Sequence, residues 1–321
     1  MRLVIALVIG LGSNAFAKDA LPPAPWQKLE LPKSPALVAI WGSSASDVYV
    51  VGAKGTILHS TDGTTFTAQT SGTKQDLRSV WGSSKADVYA VGMAGTIVHT
   101  SDGGQTWTTI ASKTKQDLYV VWGTGQKDVW AAGCALLHST DGATFAQAMN
   151  VPGAGEQNPC GGGDMCSPYK VAWGAGPDDI WLANSSDASH TTDGGKTWEY
   201  KHTYIAYGPR AVARGPAGQL IAVGEDGTAR RREPTDKDWK VMPSPSRGRT
   251  MSAMWISPAG TMVGGVYAHV VVSTDDGKTW TRAKQIVHGD LVTVWGSGTE
   301  IYALGTDNQL LHVTESALVA K

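Results

Sequence analysis

Apolar residues in this chain come in short bursts of about five, rich in Val, Ile, Trp and Tyr and cut off by Gly, Ser or Asp. That is the pattern of short β-strands. Residues 77–81 form one burst, carrying Leu77, Val80 and Trp81. Bursts at 87–91, 96–100 and 106–110 follow, separated by turns at 82–86, 92–95 and 101–105. Beyond the N-terminal segment no stretch keeps its apolar positions at helical spacing.

The four-strand group repeats. A Trp-Gly pair stands at Trp41, Trp81, Trp122, Trp173 and Trp295, and Trp255 marks a further unit. The spacing is about forty residues, a period that signals an array of supersecondary units. Units start near residues 37, 77, 118, 169, 210, 251 and 291, and in the fifth Arg214 stands where the Trp is expected. One small sheet cannot cover both of its faces, so the units must stack around an axis. The expected fold is an all-β, seven-bladed β-propeller with four-stranded antiparallel blades. The seventh unit lacks a clear fourth strand after Val313, whereas residues 26–31 look like a fourth strand without a blade. An N-terminal strand that completes the last blade would close the ring and remove its open edges. The propeller then spans residues 26–318.

The first seventeen residues differ from the rest. Arg2 precedes an apolar run, and Ala15-Phe16-Ala17 puts small residues at the −3 and −1 positions of a cleavage site. This reads as a secretory signal peptide, too short to span a membrane comfortably, followed by an extended leader at 18–25. The expected location is periplasmic or extracellular. A net charge of −1 gives no electrostatic signature for nucleic acid or a membrane surface.

An oxidising compartment gives the three cysteines meaning. Cys160 and Cys166 could close a small Gly-rich loop. Cys134 is then left over, either buried and inert or paired with one of the other two. Their spacing, with no clustered His, does not suit a metal, and no cofactor is expected.

A turn between third and fourth strands recurs as Thr100-Ser-Asp102-Gly-Gly104-Gln-Thr106-Trp107. It returns around Asp193 and Asp275, and in shortened form around Asp62 and Asp141. The Asp carboxylate can accept hydrogen bonds from amides of its own turn, Gly supplies positive φ, and the aromatic covers the hairpin. This phrase resembles the Asp-box, or BNR repeat. With the W-G-S-S and D-V-Y-A-V-G phrases, the chain resembles secreted Asp-box propellers related to the photosystem II assembly factor family. That resemblance implies a propeller fold and a basic surface that holds a protein client. Asp-boxes also occur in sialidases, xyloglucanases and sortilin-type receptors.

Enzyme signatures are sparse. A sialidase would need an Arg cluster, a Tyr nucleophile with a Glu partner and an acid/base Asp. Glycoside hydrolysis needs two carboxylates at a set distance. Glu156, Asp164, Asp187, Glu225, Asp226, Glu233, Asp290 and Glu300 are the unduplicated acids, and nothing in the sequence pairs them. His59, His99, His138 and His312 share one slot in the repeat and His190 lies near it, which indicates packing at the blade periphery.

Function in repeat proteins tends to sit where the repeats differ. One departure is the long link at 148–169, a candidate binding finger. The other is a concentration of arginines in unit five and its flanks: Arg210, Arg214, Arg230, Arg231, Arg232, Arg247 and Arg249. Along a strand Arg230 and Arg232 face one way and Arg231 the other. Arg214, in place of a Trp, would need a partner such as Glu225 or Asp226. Arg210, Arg230, Arg231, Arg232, Arg247 and Arg249 form the candidate patch for an anionic partner. The expected function is non-catalytic: a monomeric binding or scaffold propeller for a protein partner, which the arginine patch would make acidic. The alternative is a carbohydrate-active propeller, hydrolase or lectin, with a glycan held over the pore.

Overall fold

The computed structural model describes residues 26–148, 168–174, 176–184, 187–202, 209–236, 238–244, 246, 248–283 and 287–320. They form seven four-stranded antiparallel sheets. Six of these blades are contiguous in sequence, beginning with inner strands Leu37–Ser44, Leu77–Gly82, Leu118–Gly125, Val171–Gly174, Pro209–Arg214 and Met251–Ile256. The seventh contributes Leu291–Ser297, Glu300–Gly305 and Leu310–Thr314, and its outer strand is Gln27–Leu29. There Gln27 pairs with His312 and Leu29 with Leu310. Each inner strand touches the inner strands of both neighbouring blades, the last meeting the first, so the seven sheets make a closed ring.

A short helix, Glu315–Val319, follows the last strand, capped by Thr314, whose hydroxyl accepts from the Ala317 amide. Its Glu315 accepts from Ser257 of blade six at 2.7 Å. This helix stands where the seventh unit lacks a fourth strand after Val313. Among the described residues no helix is long and apolar enough to cross a membrane.

The Trp-Gly pair is an interblade joint. The Trp41 ring lies over Gly82 of the next blade, where an added Cβ would stand 2.6 Å from it. Trp81 covers Gly123, Trp122 covers Gly174, Trp255 covers Gly296 and Trp295 covers Gly42 in the same way. Interiors this close-packed leave no room for a methyl group. Within each of these blades except the sixth the Trp pairs across the sheet with an aromatic and then a His: Trp41, Tyr49 and His59 in blade one, Trp81, Tyr89 and His99 in blade two. His190 takes that slot too, opposite Trp181.

The aromatic of the recurring turn does not cover its own hairpin alone. Trp107 meets Tyr49 of the preceding blade edge-on at 6.1 Å, Phe145 meets Tyr89 and Trp198 meets Trp130. Burying such rings at each joint stabilises by roughly 1.5–3 kcal/mol apiece. Cys134 is buried and disulfide-bonded. Cys160, Cys166 and most of the long link lie outside the described residues.

Candidate functional site between blades four and five

The repeated turns are structural. Asp102 accepts from the Thr106 amide at 2.9 Å and the Thr106 hydroxyl at 2.6 Å, and from Thr100 at 2.7 Å. Those bonds, led by the Thr106 hydroxyl, hold its carboxyl down at about 2. Asp193 repeats the geometry through Thr197. Asp62 and Asp141 accept two turn amides each, and Asp275 accepts from Thr279. Each of the five carboxylates is tied to its own turn, which marks the repeated Asp as a brace for the hairpin.

The histidines are buttressed as well. His59, His99, His138, His190 and His312 each bond through Nε2 to Asp47, Asp87, Asp128, Asp179 or Glu300 at 2.6–2.8 Å. The first four rings also stack on the aromatic beside them, as His59 does on Tyr49 at 3.9 Å, and His312 lies tilted against Tyr302. The carboxylate partners were missed in the sequence, although an acid opens the second strand of each of these units.

Most of the described arginines of blade five and its flanks already have partners. Arg210 is bonded through Nε to Glu225 at 3.0 Å. Arg231 is paired with Glu233 and, at 2.6 Å, with Asp276 of blade six, so it clamps two blades together. Arg249 lies over the Tyr267 ring at 5.2 Å. Arg230 is engaged too, and Arg247 lies outside the described residues. Arg232 faces the other way, over the Trp181 ring of blade four at 5.3 Å. Of the unduplicated acids, Glu225, Glu233 and Glu300 are tied to Arg210, Arg231 and His312. The described residues hold no cluster of three or more metal-ligating side chains.

Arg214 is displaced from its expected slot. Cross-strand register sets Ala213 opposite Ile221, as Trp81 is opposite Tyr89, and Arg214 opposite Leu220, as Gly82 is opposite Val88. Ala213 therefore takes the Trp slot and Arg214 the Gly slot. The missing Trp is compensated on the next blade, where Ile256 fills the Gly slot and packs in one cluster with Ala213. Glu225 is bonded by Arg210, and no described carboxylate pairs with Arg214.

Arg232 is equally out of pattern, in the slot that holds Ser60, Thr100, Ser139 or Thr191 in blades one to four. Where the four joints running from blade seven to blade four oppose an aromatic row to Gly, an aliphatic and Ser or Thr, this joint opposes Trp173, Trp181 and His190 to Arg214, Leu220 and Arg232. A cavity of about 360 Å³ opens between the two rows. Burial first, and then the charge of Arg232, lower the His190 pKa despite its bond to Asp179. Arginine beside indole rings that wall a cavity suits a planar or anionic group. The arginine count in unit five was readable in the sequence; which two share a cavity was not.

Known proteins share the architecture. A family model described as the DUF6242 beta propeller domain matches residues 7–121, and no curated protein matches the chain. Among solved structures, one described as YCF48 bound to D1 peptide is 18% identical with a TM-score of 0.74, covering 92% of this chain and 98% of its own. YCF48 from Cyanidioschyzon merolae is 15% identical with a TM-score of 0.72, covering 90% and 98%. A catalytically inactive virginiamycin B lyase from Staphylococcus aureus with quinupristin is 14% identical with a TM-score of 0.75, again covering 90% and 98%. The likeness is one of fold: a seven-bladed propeller shared by proteins that include an enzyme.

Proposed function

We propose that this chain is a non-catalytic propeller that holds a protein partner, with the joint between blades four and five as its recognition site. The observation that carries the reading is the replacement of Gly and Ser/Thr by Arg214 and Arg232 at one joint of the ring. A lectin-like array would instead repeat its pocket from blade to blade. The structure described as YCF48 bound to a D1 peptide supports peptide recognition by a propeller of this shape. In this reading the five recurring turns are Asp-boxes that brace the blades. Residues 1–17 are a cleaved signal peptide, and the protein works in the periplasm or outside the cell.

Affinity capture from an envelope extract tests it, comparing wild type with an Arg214→Ala/Arg232→Ala variant of unchanged melting temperature. A protein partner retained by wild type and lost by the variant is the expected result. Equal capture by both contradicts this site. Incubation with quinupristin, followed by mass spectrometry, is expected to leave the compound intact; its consumption would make the chain an enzyme.

A further inference from the structure

We infer that the cavity between blades four and five is a seat for a single oxyanion, a carboxylate or phosphate, gripped by Arg214 and Arg232 against the indoles of Trp173 and Trp181. The inference deepens the protein-binding reading by naming the chemistry, and it rests on a separate observation: what lines the cavity has hydrogen-bond donors to spare. Trp173 and Trp181 are 7% and 3% exposed, yet the indole Nε1 of each has no hydrogen-bond partner. Arg232 Nε is buried without one as well. An indole N–H and a guanidinium N–H can only donate. Leaving buried donors unpaired is costly, so each such group calls for an explanation. Trp130, in the slot of Trp181 one blade earlier, donates to Asp128 at 3.1 Å, and the turn tryptophans Trp198 and Trp107 donate to the Gly195 carbonyl at 3.1 Å and to Gln69 at 2.8 Å, whereas Trp26 and Trp239 are unpartnered like the cavity pair.

The acids nearby are already engaged. Asp179 lines the cavity and is bonded to His190 at 2.7 Å. Asp236, within the field of Arg232, accepts from Lys240 at 2.8 Å and from the Glu233 amide at 3.1 Å. Arg232 therefore keeps its fork free for a ligand while its plane rests on Trp181. A guanidinium held in this way is preorganised for two parallel bonds to an oxyanion. Arg214, exposed at the rim, supplies a second charge.

Tryptophan fluorescence of the purified protein reads the site directly, because two of its indoles form the wall. The probes are sodium acetate, inorganic phosphate, a ten-residue Asp-rich peptide and the matching Asn-rich peptide. Saturable change with an oxyanion probe and none with the Asn-rich peptide is expected. Arg214→Ala and Arg232→Ala should each weaken the response about tenfold, the scale of one lost hydrogen bond to a charged group. Arg232→Lys should also weaken it, since it keeps the charge but loses the planar fork, and it serves where Arg232→Ala fails to fold. Arg78→Ala, remote and paired with Asp76, should leave it unchanged. Saturation by acetate or phosphate alone identifies a free small anion as sufficient, and saturation by the peptide alone identifies a partner's side chain. Absence of saturation with every oxyanion probe, or unaltered binding in Arg214→Ala and Arg232→Lys, overturns the seat. Such a result leaves capture of a protein at another surface possible, so the two failures are distinguishable.

Discussion

At the scale of single residues, small side chains and short turns govern this ring. Gly82 has no room for a Cβ beneath the Trp41 ring, with the Asp87 carbonyl also 2.6 Å away. Gly82→Ala should therefore destabilise by about 1–3 kcal/mol, the usual cost of overpacking, seen as an earlier midpoint in urea. Asp102 titrates near 2 instead of 3.8. A carboxyl whose pKa is depressed on folding adds stability above its unfolded value and loses it as pH falls through the folded one. Asp102→Asn should then lower the melting temperature at pH 7, and the difference from wild type should shrink between about pH 4 and pH 2. The turn Asp and the Trp-Gly pair were plain in the sequence because both recur. The position of Arg214 was misjudged because a mean spacing of about forty residues cannot fix a slot to one residue; cross-strand register does.

Among strands and blades, the joints between neighbours matter more than any one sheet. Tyr302 of blade seven places its hydroxyl 2.8 Å from the Ala45 carbonyl and 3.1 Å from that of Gly63 in blade one. Burial, aided by the Glu300 charge, pushes its phenol up to about 12, so it is a donor at any ordinary pH. Tyr302→Phe should cost about 1 kcal/mol and leave the fold intact, whereas deleting residues 26–31 exposes the third strand of blade seven and should cause aggregation, measured by light scattering. Strand order and closure were legible because a strand-like run at 26–31 without a blade has one vacancy to fill. The latches on the opposite face were not: Asp76 and Asp117 each accept from a backbone amide of the preceding blade, at Lys54 and Ala94. Cysteine pairing belongs to this scale as well. Since Cys134 is disulfide-bonded and the chain has three cysteines, non-reducing peptide mapping should join the Cys134 peptide to that of Cys160 or Cys166. A Cys160–Cys166 loop with a free Cys134 would contradict this.

For the whole molecule, sameness around the ring is scaffold and the break in it is the candidate for function. The sequence showed that arginines crowd into unit five, and it suggested a patch of six. Folding divides them: Arg210 and Arg231 serve ion pairs, while Arg214 and Arg232, on either side of Leu220, line one cavity against blade four. That division depends on which face of a strand each residue takes and on which acids the turns bring near, and neither is written in composition. Hydrogen exchange with the Asp-rich peptide bound gives the most direct test of recognition at this joint. Protection should concentrate in residues 171–183 and 209–232. Protection confined to other blades, or none at a saturating concentration of peptide, would contradict the account.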